Sequence, residues 1–283
     1  PSDDRVAALK AHTDPRDHRL DITRAPLMRA VVAHDRQTAR WLLSLLQHHL
    51  AMDHVTGDLI LEEIGQILDG DEAMLAPPLP FRDFVAQARL GVSIQEHESF
   101  FQAMLGDVDE PTAPFGLLDV HGDGEDVRES SLRMPSSLCL RLRGQARVLG
   151  VSAASLFHWA WAQVLAKTTG REDVVFGTVL FGRLQGGEGA DRAMGLFINT
   201  LPVRVALGEI GVADGVRATH ARLSGLVRHE HAPLAVAQRC SALPSGTPLF
   251  SALLNYRHSV DEQGTSPAWM RGAELMSVEE RTN

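Results

Sequence analysis

Cysteine, positive charge and long apolar runs are all scarce in this 283-residue sequence. The two cysteines, Cys139 and Cys240, lie far apart in apolar-rich stretches. That pattern reads as two buried reduced thiols of a cytoplasmic protein rather than a disulfide framework. Lys and Arg number 27 against 36 Asp and Glu, for a formal net charge of -9, and no Lys/Arg run with interleaved aromatics occurs. Such a chain offers no basic field to a phosphate backbone, so nucleic acid is not an expected partner. No stretch approaches the ~20 consecutive apolar residues that span a bilayer, and no membrane association is expected. The first residues, Pro1-Ser2-Asp3-Asp4-Arg5, have neither a signal-peptide apolar region nor an initiator Met, and Glu279-Glu280-Arg281-Thr282-Asn283 has no terminating pattern. Both ends therefore read as cut from a longer chain.

What is present describes a globular protein: 44% of residues are hydrophobic and 22% charged, which suits a chain with a substantial core. Its length allows one large domain or two medium ones. Two short apolar runs, Leu27 to Ala33 and Trp41 to Leu46, flank a polar His34-Asp35-Arg36-Gln37-Thr38 and predict two strands joined by a turn. Apolar residues at 59, 60, 64, 67 and 68 predict an amphipathic helix over Thr56 to Leu68. Further helices are predicted over Phe81 to Leu90 and Ile94 to Leu105, the latter with Phe100, Phe101, Met104 and Leu105 on one face. Prolines, glycines and two acidic runs between Gly106 and Pro135 read as a connection between two lobes.

Beyond it, Ser152 caps a predicted buried helix that runs to Thr168, and Gly170 stops it. Strands are predicted at Asp173 to Phe181, Phe197 to Leu207 and Leu249 to Tyr256, and a helix at Val212 to His229. Gly182 to Gly195 reads as a flexible loop; its Gly186-Gly187-Glu188-Gly189 lacks the Lys-Ser/Thr of a phosphate-binding loop and reads as mobile surface chain. Strands that alternate with helices in both halves predict a two-lobed α/β protein.

Thirteen histidines are present, and the densest cluster of proton-binding side chains is His48, His49, Asp53 and His54. It falls where a predicted strand gives way to a predicted helix, a junction at which α/β proteins place reactive groups. Three readings compete for it. These are ordinary surface or packed histidines; or His49 and Asp53 ligate a metal, although no HExxH or paired CxxC accompanies them; or one imidazole acts as a general base near neutral pH.

The segment His48-His49-Leu50-Ala51-Met52-Asp53 resembles the HHxxxD part of the HHxxxDG signature of nonribosomal peptide synthetase condensation domains. Four further matches follow in the family's order. Phe81-Arg82-Asp83-Phe84 is the first, and the stretch from Thr169 to Gly177 ahead of Gly182-Arg183 is the second. The run Met194-Gly195-Leu196-Phe197-Ile198-Asn199-Thr200-Leu201-Pro202-Val203-Arg204 is the third, and Pro248-Leu249-Phe250 with Asn255-Tyr256 the fourth. His54 stands where the signature has Gly, and the family's earliest motifs are absent.

The resemblance implies two chloramphenicol-acetyltransferase-like lobes in a V with a tunnel between them. The N-terminal lobe would be incomplete over residues 1–110, the connection would occupy 111–135, and the C-terminal lobe 136–283. It implies amide formation between a carrier-bound acyl or peptidyl thioester and a carrier-bound aminoacyl acceptor, with His49 as the catalytic residue and His48 as a motif residue. Asp53 would point away from the imidazole and pair with Arg183. His54, Asn199 and Thr200 would lie near the tunnel, although Asn199 and Thr200 also read as polar residues capping the start of a strand. No metal or soluble cofactor is implied; phosphopantetheine arrives on donor and acceptor carrier domains. An adjacent adenylation domain is the other implied partner, with the domain itself monomeric. Two alternatives stay open: a noncatalytic docking relative, which the His54 departure favours, and an epimerization domain, which shares the signature.

Overall fold

The computed structural model describes residues 4–119, 128–183, 189–257 and 273–277. The centre of the expected flexible loop, including Gly186, Gly187 and Glu188, lies outside the described residues. Compact packing divides the chain into two units: residues up to Phe81 together with Arg192–Phe197 form the first, and most of the chain from Arg82 onward forms the second.

The first unit opens with α1 (Arg5–His12), whose N-terminal Asp4 carboxylate accepts from the backbone N–H groups of Val6 and Ala7. Strands β1 (Met28–Asp35) and β2 (Arg40–Gln47) pair antiparallel from Met28↔Gln47 to Asp35↔Arg40, as the two apolar runs predict. Asp35 closes their turn by accepting from Gln37 N at 3.0 Å and Thr38 Oγ1 at 2.6 Å. Helix α2 (His54–Leu68) follows, beginning two residues before the predicted start because Asp53 caps it.

The second unit contains α3 (Phe81–Leu90) apart from its first residue, α4 (Ile94–Leu105), α5 (Ser136–Leu149), α6 (Ala153–Thr169), β3 (Asp173–Leu180), β4 (Asn199–Ala206), α7 (Val212–Arg228), α8 (Leu234–Arg239) and β5 (Leu253–Leu254). Its sheet has the order β4-β3-β5, with β3 antiparallel to β4 and parallel to β5. Strand β3 is buried on both faces, which explains its unbroken apolar run. Phe101 and Leu105 of α4, Trp159 and Leu165 of α6, Phe176 of β3, Val203 of β4 and Leu226 of α7 form one core with it. Ser152 Oγ accepts from Ser155 N at the start of α6, and Gly170 ends it with φ of 71°, as predicted. Arg204 of β4 forks onto the Asp173 carboxylate and also binds Asp107, tying the chain after α4 to the sheet.

Two differences from the sequence pattern have local causes. Buried Thr112 donates its N–H to Leu249 O, accepts from Ser251 N, and takes Val175 N–H on its hydroxyl. Those bonds occupy the backbone of residues 249–251, so the strand expected over Leu249 to Tyr256 shrinks to β5 and one bridge between Thr112 and Phe250. Helix α5 carries a strand-like signal: Leu138, Leu140 and Leu142 alternate with period two, and Gly144 interrupts them, so helical periodicity is hidden. Both cysteines are free thiols, Cys240 buried and Cys139 half-buried. Among the described residues no single helix is long and apolar enough to cross a membrane.

Packing of α6 against α7 depends on a missing side chain. A Cβ at Gly215 would sit 2.2 Å from the Trp159 ring, so the helices approach only because residue 215 has none. Gly215→Ala is expected to destabilise the fold by about 1–3 kcal/mol through overpacking. The urea midpoint measures it, and an unshifted midpoint would mean that Trp159 moves aside at no cost.

Four histidines of the second unit are expected to make it acid-sensitive. His158 sits between Ala154 O, 2.7 Å from Nδ1, and Thr178 Oγ1, 2.7 Å from Nε2. His97 and His229 meet Nδ1 to Nδ1 at 2.9 Å, an arrangement that requires one protonated and one bare nitrogen. Burial pushes His97, His158, His229 and His231 below the usual imidazole range, and for His229 the neighbouring His97 and Arg228 push the same way. The unfolded chain therefore takes up protons first as pH falls. The stability these groups contribute is complete above about pH 6.5 and is lost as pH drops from there toward their lowered values. Urea titrations at pH 7.5 and 5.5 are expected to show a lower midpoint in acid, with a smaller difference in His158→Gln. Equal midpoints would contradict the assignment.

Candidate functional site

Strand β2 ends at Gln47, and a turn closed by Ala51 N donating to His48 O carries the chain into α2. Both histidines of this turn are half-buried. They differ in which ring nitrogen carries the proton. His48 Nδ1 accepts the Leu50 N–H at 3.1 Å, so that nitrogen is bare and a neutral His48 holds its proton on Nε2. His49 Nδ1 lies 3.2 Å from the Met52 carbonyl oxygen. A carbonyl only accepts, so this nitrogen carries the proton and a neutral His49 has its lone pair on Nε2. Adjacent, chemically identical side chains thus differ: the first closes a turn through Nδ1, and the second, when neutral, has its lone pair on Nε2.

Asp53 is 2% exposed and belongs to the framework of the loop. Its Oδ1 accepts from Thr56 N and Thr56 Oγ1, each at 2.9 Å, which caps α2, and its Oδ2 accepts from Phe197 N at 3.3 Å. Its own N–H donates to Gly195 O at 3.2 Å. His54, the departure from the signature, is the first residue of α2. The only non-glycine residues with positive φ among those described are Ala39 and Phe115. The backbone at 54 is therefore one that any L-residue adopts, and no glycine is required there.

Arg183 donates from Nη1 to Ala190 O at 2.8 Å. Asn199 begins β4 as expected, but its amide reaches a turn far ahead in sequence: Nδ2 donates to Glu230 O at 2.8 Å and Ala232 O at 2.7 Å. Thr200 pairs across the sheet with Val179. Gly195 and Phe197 lie in the Met194–Arg204 match without a role being assigned to them, and Thr56 lies outside every motif match. The spacing of Asp53 and Thr56, a capping residue and a hydroxyl at the third helical position, is the local signal for Thr56. Among the described residues no group of three or more His, Cys, Asp or Glu side chains is arranged to hold a metal ion.

Fold and loop together define an α/β protein that carries two adjacent imidazoles of opposite tautomer in the turn between a strand and a capped helix. Residues 2–282 match the family model described as "Condensation domain". Malpibaldin synthetase from Mortierella alpina is 52% identical over 278 residues, 98% of this chain and 5% of that protein. Bacitracin synthase 3 from Bacillus licheniformis is 27% identical over 280 residues, 95% of this chain and 4% of that protein. A solved first condensation domain of the calcium-dependent antibiotic synthetase, in complex with a substrate analogue, superposes with a TM-score of 0.68 at 21% identity. The match covers 90% of this chain and 59% of that one. The chain belongs to the condensation-domain family of nonribosomal peptide synthetases. It spans about one twentieth of the length of the synthetases named above.

Proposed function

We propose that this chain joins two carrier-tethered building blocks by an amide bond, with His49 as the catalytic residue. The observation that carries the reading is the His49 ring, whose Nδ1 is committed to the Met52 carbonyl and whose neutral form therefore has a basic Nε2. Family membership supplies the reaction class, acyl or peptidyl transfer to an amine.

The acceptor's amine attacks the thioester carbonyl of the donor. The new C–N bond forms as the carbon becomes tetrahedral, and the attacking nitrogen becomes acidic. Nε2 takes its proton; collapse then breaks the C–S bond, and the proton passes to the departing thiolate of the phosphopantetheine arm. Orientation of two tethered reactants adds to proton transfer, because a near-attack geometry removes much of the entropic barrier. The arms belong to the substrates, so the domain needs no resident cofactor in this scheme. Donor and acceptor carrier domains and an adenylation domain are its partners, and the cytoplasm is its compartment. The assignment of His54, Asn199 and Thr200 to the substrate path is part of the same proposal. The backbone at 54 requires no glycine, so backbone shape lends no support to a noncatalytic docking relative.

The direct test supplies the intact protein with a donor carrier bearing an acyl thioester and an acceptor carrier bearing an aminoacyl thioester with a labelled α-proton. Transfer of the acyl group into an amide on the acceptor is the expected result. Wash-out of the α-proton label without amide would instead identify an epimerase, and neither product would leave docking.

A further inference from the structure

We infer that the strap Arg192–Phe197 holds the catalytic imidazole in its working tautomer, acting through the peptide unit between Met52 and Asp53, with Thr56 and Gly195 as the positioning residues. The inference rests on the assignment of His49 as the base and deepens it. Met52 C=O and Asp53 N–H belong to one planar peptide. Its oxygen receives the His49 Nδ1–H at 3.2 Å, and its N–H donates to Gly195 O at 3.2 Å. A continuous chain of hydrogen bonds thus runs from the imidazole through that peptide to the strap carbonyl. Donation from the N–H polarises the same peptide's carbonyl and strengthens it as an acceptor for the ring, so each bond reinforces the next.

The strap end of this chain is held firmly. Thr56 Oγ1 lies 2.9 Å from Gly195 O and accepts from Gly195 N at 3.0 Å, so one buried hydroxyl grips both polar groups of residue 195. The same hydroxyl lies 2.9 Å from Asp53 Oδ1, and its single proton serves either acceptor. Phe197 N–H donates to Asp53 Oδ2 at 3.3 Å, which fastens the strap a second time. Gly195 has φ of +156°, and a Cβ there would lie 2.2 Å from the Phe81 ring, which itself packs edge-on against Phe197 at 5.1 Å. Rotation of the 52–53 peptide would break the ring's bond and the strap's bond together. The strap therefore selects the tautomer that leaves Nε2 basic.

The test combines side-chain ¹⁵N NMR of His49 with kinetics of the intact protein. The unaltered protein at pH 8 is expected to show a protonated Nδ1 and a pyridine-like Nε2. The opposite tautomer there would overturn the inference whatever any variant does. Thr56→Val keeps the shape of the side chain but lacks the hydroxyl. It is expected to show His49 averaging between tautomers, with kcat lowered about 10- to 100-fold and KM for the loaded carriers unchanged, as misplacement of a reacting group predicts. Thr56→Ser restores the hydroxyl and is expected to recover both the spectrum and kcat. A folded Thr56→Val with the original tautomer, or with a raised KM at unchanged kcat, would defeat the proposal, as would a Thr56→Ser that fails to recover. The tautomer readout needs no turnover. An active His49→Ala would overturn the function proposed for the site, whereas an inactive His49→Ala with an unperturbed Thr56→Val would overturn the strap alone.

Discussion

Amide formation by His49→Ala is expected to fall about 10²- to 10⁴-fold in kcat, the range that a positioned general base contributes. Binding of the loaded carriers is expected to persist, because the substitution removes a half-buried ring and leaves Asp53, Thr56 and the start of α2 in place. His48→Ala is the control that gives the result its meaning. Its ring caps the turn through Leu50 N, so its loss is expected to loosen the loop and reduce turnover far less. Single-turnover measurements with saturating carriers separate the two, since slow product release then does not mask the chemical step. Unchanged turnover in a folded His49→Ala protein would remove His49 from the mechanism.

Asp53→Ala is expected to damage the fold before it damages chemistry. The carboxylate caps α2 and also receives the hydroxyl of Thr56 and the N–H of Phe197. Losing the cap costs about 1 kcal/mol, and leaving buried donors without their acceptor adds about 1–3 kcal/mol, so a loss of about 2–4 kcal/mol is anticipated. A urea midpoint within error of wild type would show that these bonds are replaced at no cost.

Much of the site was legible because it is local. Strand β2, the turn and α2 follow one another within residues 40–68, and each has its own signal: an apolar run, paired histidines and a capping aspartate. Motif resemblance singled out His49, but it does not say how the two histidines differ in tautomer. That distinction depends on which backbone group each Nδ1 meets. Asn199 shows a different limit. Its position at the head of β4 is readable, yet its amide bonds go to carbonyls 31 and 33 residues onward, which a strand-start cap does not predict.

By itself, the amino-acid order determined the helices with clear caps and stops, the doubly buried strand β3 and the histidine-bearing junction, because propensity, periodicity and capping act over a few residues. Tertiary structure alone decided that a segment 139 residues beyond Thr56 would bond its hydroxyl, that Thr112 would replace an expected strand's ladder, and that His97 would face His229. Those arrangements arise when distant parts of the chain are buried together. Each buried N–H, carbonyl or imidazole must then find a partner among whatever the fold brings within reach.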